Sequence, residues 1–174
     1  SPVKKILPEI NNIIGEPEAK NTAPCIALLV GLLLKKEPEQ TLGVFPGDHF
    51  IQNEQEFVDI LRRAEFIAQS ADSLVTIGIT PEFAHTGYGY IEYDKTNCNN
   101  GFYKVIKFYE KPDKTTAEKF LQTGNFLWNA GIFVWKIKTI AAAFEKYQPT
   151  IYESILKISE SPDSKLTKVI KQEY

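Results

Sequence analysis

From Asn21 to Lys36 the chain reads NTAPCIALLVGLLLKK, apolar almost all round, with turn formers before it and two lysines at its end. That pattern predicts a buried helix. The short apolar run Thr41 to Phe45, closed by Pro46-Gly47, predicts a buried strand that delivers Asp48 and His49 to its C-terminal edge. A helix over about Glu54 to Gln69 and a strand over Ser73 to Ile79 follow. This β-α-β alternation favours an α/β sheet with right-handed crossovers, one face of which collects ligands. The pattern then changes. Tyr88 to Asp94 and Phe102 to Phe108 are aromatic-rich and flank the turn sequence Asn97 to Gly101, which predicts a hairpin and so a mixed sheet. A helix over Thr115 to Gln122 ending near Gly124, a strand over Ile132 to Trp135 and amphipathic helices within Ile137 to Ile158 complete the pattern. Ser159 to Lys165 is polar enough for a loop, with no obvious element after it. No repeat, low-complexity tract or linker interrupts the chain, and its 174 residues predict one core.

Composition narrows the functional classes. With 43% hydrophobic and 24% charged residues the chain is of the ordinary globular type. A net charge of -2 supplies no diffuse positive field, so no nucleic-acid partner is expected and any phosphate must be bound locally. The longest apolar stretch, Cys25 to Leu34, is too short to span a membrane and the start does not read as a signal peptide, so the expected location is cytoplasmic. Cys25 and Cys98 have no neighbouring Cys or His at ligand spacing, and both are expected to be reduced thiols. The sequence holds no Met, and it is expected to begin inside a longer sequence or to have lost residues.

Five segments carry candidate chemistry, each with a plainer reading beside it. In Glu16-Pro17-Glu18-Ala19-Lys20-Asn21-Thr22-Ala23-Pro24, a carboxylate such as Glu16 can accept from both the N1 and N2 donors of guanine, a pairing adenine cannot make. The plainer reading is a helix cap by Asn21 or Thr22, with Glu16 and Glu18 complementing the dipole. In Phe45-Pro46-Gly47-Asp48-His49, Asp48 at a strand mouth can meet a hard cation bound to a triphosphate, or be a turn residue beside a partly buried histidine. His85 sits in a loop without a clear partner. In Thr86-Gly87-Tyr88-Gly89-Tyr90-Ile91, Gly87 would admit a ligand to its backbone N–H, or mark a bulged strand start. In Tyr109-Glu110-Lys111-Pro112, Glu110 can accept from sugar hydroxyls and Lys111 can neutralise phosphate. In Trp128-Asn129-Ala130-Gly131, Asn129 can both donate and accept. The last two segments also read as a surface turn and a strand edge.

Taken in order, EPEAKNTAP, FPGDHFI, TGYGYI, EKPD with Thr116-Ala117 behind it, and WNAGIF resemble the bacterial mannose-1-phosphate guanylyltransferases, over about Asn12 to Pro149. The resemblance implies a Rossmann-like nucleotidyltransferase fold, an α/β/α sandwich around a mixed, mostly parallel sheet. It makes 1–174 the central and C-terminal part of one such domain. It implies the reaction of GTP with mannose 1-phosphate to give GDP-mannose and pyrophosphate, by in-line attack without a protein nucleophile. Asp48 then matches the family's Mg2+ ligand, Glu16, Asn21 and Thr22 the nucleotide contacts, and Gly87, Tyr88, Glu110 and Asn129 the sugar contacts, with Lys111 near the sugar phosphate. A glycine-rich segment with Arg and Lys is expected before Ser1 and a second metal-binding aspartate after Tyr174, so this chain by itself is expected to be a poor catalyst. Lys20 for Arg, Gly47 for Ala and Ala130 for Ser depart from the family pattern and look tolerable. The alternatives are a nucleotidyltransferase for another sugar or base and a non-catalytic regulatory homologue that binds nucleotide sugar. A homodimer is common among such folds, though no apolar stripe decides for one.

Overall fold

The computed structural model describes residues 5, 8–10, 13–99 and 101–174. Asn12 and Asn100, named above at the start of the resemblance and in the hairpin turn, lie outside them. Where the length predicts one core, the chain forms two compact units, Ser1–Gln40 with Ile137–Tyr174, and Thr41–Lys136.

The first unit is helical. Helix α1 (Thr22–Leu33) buries Ile26, Ala27, Leu28, Val30 and Gly31. It packs with α4 (Ile137–Tyr147) and α5 (Pro149–Ser159), whose apolar faces contribute Ile137, Ile140, Phe144, Ile155 and Ile158. Gly31 is what lets α1 and α5 approach: a Cβ there would lie 2.9 Å from Ile158 Cβ and 3.3 Å from the Ile155 carbonyl oxygen. The end of the chain, where Ser159 to Lys165 is expected to be loop with no obvious element after it, instead contains α6 (Asp163–Glu173), which packs on α5 and in which Leu166, Val169 and Ile170 are half-buried and no residue is fully buried.

The second unit holds strands β1 (Thr41–Val44), β2 (Val75–Ile79), β3 (Tyr90–Asn99), β4 (Phe102–Tyr109) and β5 (Phe126–Lys136), with helices α2 (Glu54–Ala71) and α3 (Lys114–Thr123). All pairings among the described residues are antiparallel: β1, β2 and β3 each pair with β5, and β3 with β4. The mostly parallel sheet is therefore corrected here. β1 and β2 run in the same direction, as a β-α-β unit requires, but β5 lies between them. Val134 pairs with Gly43 of β1 and with Val75 of β2, which places those two strands on opposite edges of β5. Trp128 likewise pairs with Ile79 of β2 and Tyr90 of β3. So β1 and β3 share one edge of β5 end to end, β1 along Phe133 to Lys136 and β3 along Phe126 to Trp128. Residues 129–132 lie at the break, where Gly131 takes φ +66.

Two clusters back this sheet. Ala64 and Ala68 of α2 pack with Val75 and Val134. Ala117 and Phe120 of α3 pack with Tyr90, Phe126 and Trp128, the rings of Phe120 and Phe126 stacking at 3.9 Å. Helix α3 is fixed at both ends, by Asp113 accepting from the Thr116 N–H at 2.8 Å and by Gly124 at φ 65.

Candidate functional site

In the second unit the break on the β5 edge gathers several of the residues singled out in the sequence. β1 ends at Val44, and the chain continues through Pro46, whose Cγ lies 3.3 Å from where a Cβ on Gly131 would stand. Asp48 follows two residues later, exposed, and no hydrogen bond or ion pair engages its carboxylate among the described residues. His49 is exposed as well, which removes the reading of a partly buried histidine. From the other side β3 begins, and the Asn129 N–H donates to the Gly89 carbonyl at 2.8 Å. The Asn129 Oδ1 accepts from the Gly131 N–H at 3.1 Å, so the side chain is held by the kink it sits beside. A Cβ on Gly89 would stand 3.1 Å from Glu110 Oε2 and 3.5 Å from Asn129 Cβ. Gly89, Glu110 and Asn129 thus meet at one point.

Glu110 and Lys111 leave β4 as an exposed pair, 3.6 Å apart. Lys111 takes φ 43, the left-handed region that a side chain rarely adopts. The strain turns the chain sharply between the acid and Pro112, so that Glu110 faces Gly89.

The Gly87 reading is corrected. Its N–H, expected to be open to a ligand, donates to His85 Nδ1 at 3.0 Å. A Cβ at Gly87 would lie 2.8 Å from His85 Cε1, so this glycine makes room for the histidine ring. The residue that opens space toward Glu110 and Asn129 is Gly89, and the only sequence signal for it was the second glycine of the Gly-Tyr-Gly triplet. His85, which has no clear partner in the sequence, proves to be the centre of the loop. Tyr88 stacks on it at 4.0 Å, half exposed, and both Tyr88 and Phe83 meet Trp128 edge-on at 5.3 and 5.1 Å.

In the first unit Asn21 stands at the N-cap of α1 but its side chain makes no capping bond, and the first turn carries no acid. The plainer cap reading therefore does not describe Asn21, whose amide is left for another partner. Asn21, with Lys20 before it, Ala23 and Pro24 from α1 and Gln148 and Ile151 from the start of α5, lines an open hollow of about 630 Å3. Thr22 is exposed beside it. The Glu16 carboxylate accepts from the Tyr174 hydroxyl and borders Cys25, whose thiol is pushed up first by burial and then by Glu16. Lys20 donates to the Tyr174 carbonyl oxygen and lies over its ring. Cys25 and Cys98 are both free thiols.

Comparison with known proteins decides the family. The nucleotidyl transferase family model matches residues 6–174. The chain belongs to that family. It is 41% identical over 171 residues to mannose-1-phosphate guanylyltransferase 2 of Escherichia coli O157:H7, covering 91% of this chain and 35% of that protein. It is 37% identical to a mannose-1-phosphate guanylyltransferase of Salmonella typhimurium, covering 94% of this chain and 35% of that protein. The chain thus spans about a third of the length of the curated relatives it matches. Among solved structures it superposes with a TM-score of 0.85 on a mannose-1-phosphate geranyltransferase of Thermus thermophilus, at 25% identity over 98% of this chain and 49% of that one. A mannose-6-phosphate isomerase of Helicobacter pylori gives a TM-score of 0.75 at 32% identity, covering 91% and 60%. The α/β nucleotidyltransferase fold is therefore that of the chain.

Nucleotidyl transferases of this family generally use a divalent metal. Among the described residues no three His, Cys, Asp or Glu side chains gather to hold a metal ion. Asp48, exposed in the turn after β1 and without a hydrogen bond or ion pair among the described residues, could supply a single anchoring oxygen, the remaining positions going to water and substrate phosphates as a small hard cation prefers. No helix among the described residues is long and apolar enough to cross a membrane.

Proposed function

We propose that the protein carrying this chain transfers the guanylyl group of GTP to mannose 1-phosphate, giving GDP-mannose and pyrophosphate in the cytoplasm. The observation that carries the reading is the break on the β5 edge, where Gly89, Glu110 and Asn129 converge beside the chain that leads from β1 to Asp48. Convergent acceptors and an amide on rigid strand ends suit a sugar ring. The choice of mannose and of guanine is supported by the names of the relatives in Escherichia coli and Salmonella. Glu16 offers the guanine N1 and N2 donors a paired acceptor, once the Tyr174 hydroxyl that now donates to it has moved. Asn21 and Thr22 offer the uncapped start of α1 to the nucleotide.

The roles follow from charge. Glu110 and Asn129, with Gly89 and Tyr88, hold the sugar so that its phosphate oxygen lies in line with the α-phosphorus. That alignment replaces a covalent protein step. Lys111, fixed by its strained backbone beside Glu110, neutralises the sugar phosphate. Asp48 would anchor Mg2+, which when bound offsets charge on the triphosphate.

The test is calorimetric titration of the full-length protein with GTP, UTP and GDP-mannose, with pyrophosphate release followed in parallel and Asp48→Ala alongside. Guanine-selective binding, with mannose-1-phosphate-dependent release falling by about 100-fold or more in the variant, is expected. Binding without release would point to a regulatory homologue, and equal binding of UTP would sink the role of Glu16.

A further inference from the structure

We propose that His85 is a positioning residue for the sugar, holding Gly87, Tyr88 and Gly89 in the shape that meets Glu110 and Asn129; this rests on the sugar-binding reading above. Three attachments converge on it. Its backbone N–H donates to the Tyr90 hydroxyl at 3.0 Å, and that hydroxyl donates to the His85 carbonyl oxygen at 2.9 Å. Tyr90 is fully buried between Phe120 and its neighbours in the α3 cluster, so the anchor is part of the core. The His85 ring takes the Gly87 N–H at Nδ1, which requires that nitrogen to be unprotonated. The ring then stacks on Tyr88 with an interplanar angle of 17° and meets Phe83 edge-on at 5.7 Å.

The geometry separates two roles within one side chain. Accepting from Gly87 fixes the backbone direction into Gly89, whose carbonyl receives the Asn129 N–H. Stacking fixes the Tyr88 ring, which remains 46% exposed and so has a face left for a ligand. A loop with this few buried apolar side chains would otherwise sample many arrangements, and a sugar would have to select one of them. His85 removes that cost without touching the sugar.

Two substitutions dissect the roles. Asn places an amide oxygen close to where Nδ1 stands and deletes the ring. Phe keeps a ring for Tyr88 and deletes the acceptor. In the full-length protein, His85→Phe is expected to raise KM for mannose 1-phosphate about fivefold, the worth of one ordinary hydrogen bond, with KM for GTP unchanged. His85→Asn is expected to recover most of that loss. The fluorescence contribution of Trp128, taken as the difference between spectra recorded with and without Trp128→Phe, is expected to shift in His85→Asn, because Tyr88 no longer has its stacking partner while it borders the indole. Glu110→Gln serves as the control for the underlying reading. If Glu110→Gln raises KM for mannose 1-phosphate and His85→Phe does not, the positioning role is overturned while the sugar site stands. If neither changes it, the sugar reading itself falls. Equal loss of GTP and mannose 1-phosphate binding in both His85 variants would show only a structural histidine and overturns the proposal.

Discussion

Lys111 shows how a single residue can report its own use. A left-handed conformation costs a non-glycine residue about 1–2 kcal/mol, and a glycine there would give back about 0.5–1 kcal/mol through its freer unfolded chain. Lys111→Gly is therefore expected to leave stability unchanged or slightly higher in urea denaturation, while KM for mannose 1-phosphate rises as the cation is lost. If instead the variant is both stable and fully active, the strain at φ 43 serves only the turn into Pro112. The residues of the break were legible in the sequence to differing degrees. Glu110 and Asn129 could be named because a carboxylate and an amide have a limited set of partners. Gly89 and His85 could not be placed, since what decides them is a 3.1 Å approach to Glu110 Oε2 and an Nδ1 acceptor for Gly87, both set by the folded loop. Gly87 was assigned the ligand's N–H for the same reason: a glycine announces close approach without saying what approaches.

Helices were readable because their start and stop signals are local. The extent of α3 follows from Asp113 and Gly124, and Asp113 also makes the helix responsive to acid. Its carboxyl is held below the usual range first by the Thr116 N–H and then by the Thr116 hydroxyl. A depressed folded value means that the contribution is present above the ordinary Asp range, near 3.8, and is lost as pH falls through the lowered folded value. Asp113→Asn, which keeps an accepting oxygen but cannot titrate, is expected to flatten that part of the acid limb in thermal melts recorded from pH 5 down to about pH 2. An identical acid limb in the variant would assign the sensitivity elsewhere. Strand direction was not readable. Thr41 to Val44 and Val75 to Ile79 are short apolar runs that carry the same pattern whether a parallel or an antiparallel neighbour covers them. Helix α6 was missed because its stripe is short: Leu166, Val169 and Ile170 share one face, but none is fully buried and the residues before them are polar.

At the scale of the whole molecule, the two units explain why no linker was found. The chain crosses from one to the other between Gln40 and Thr41 and between Lys136 and Ile137, where β1 and α4 begin at once and leave no unstructured stretch to announce a boundary. The central place of β5 has a further consequence, in the order of synthesis. Strands β1 and β2 leave the ribosome long before Phe126 does, and among the described residues β5 is the strand that each pairs with. Only the β3–β4 hairpin has its partner at hand. Refolding of this unit is therefore expected to be slow, in the millisecond-to-second range of folds rich in distant pairings, when followed by stopped-flow fluorescence. A nascent chain stalled just before Phe126 would already contain every residue of β1 to β4, with the edges of β1 and β2 open to whatever other chain they meet first.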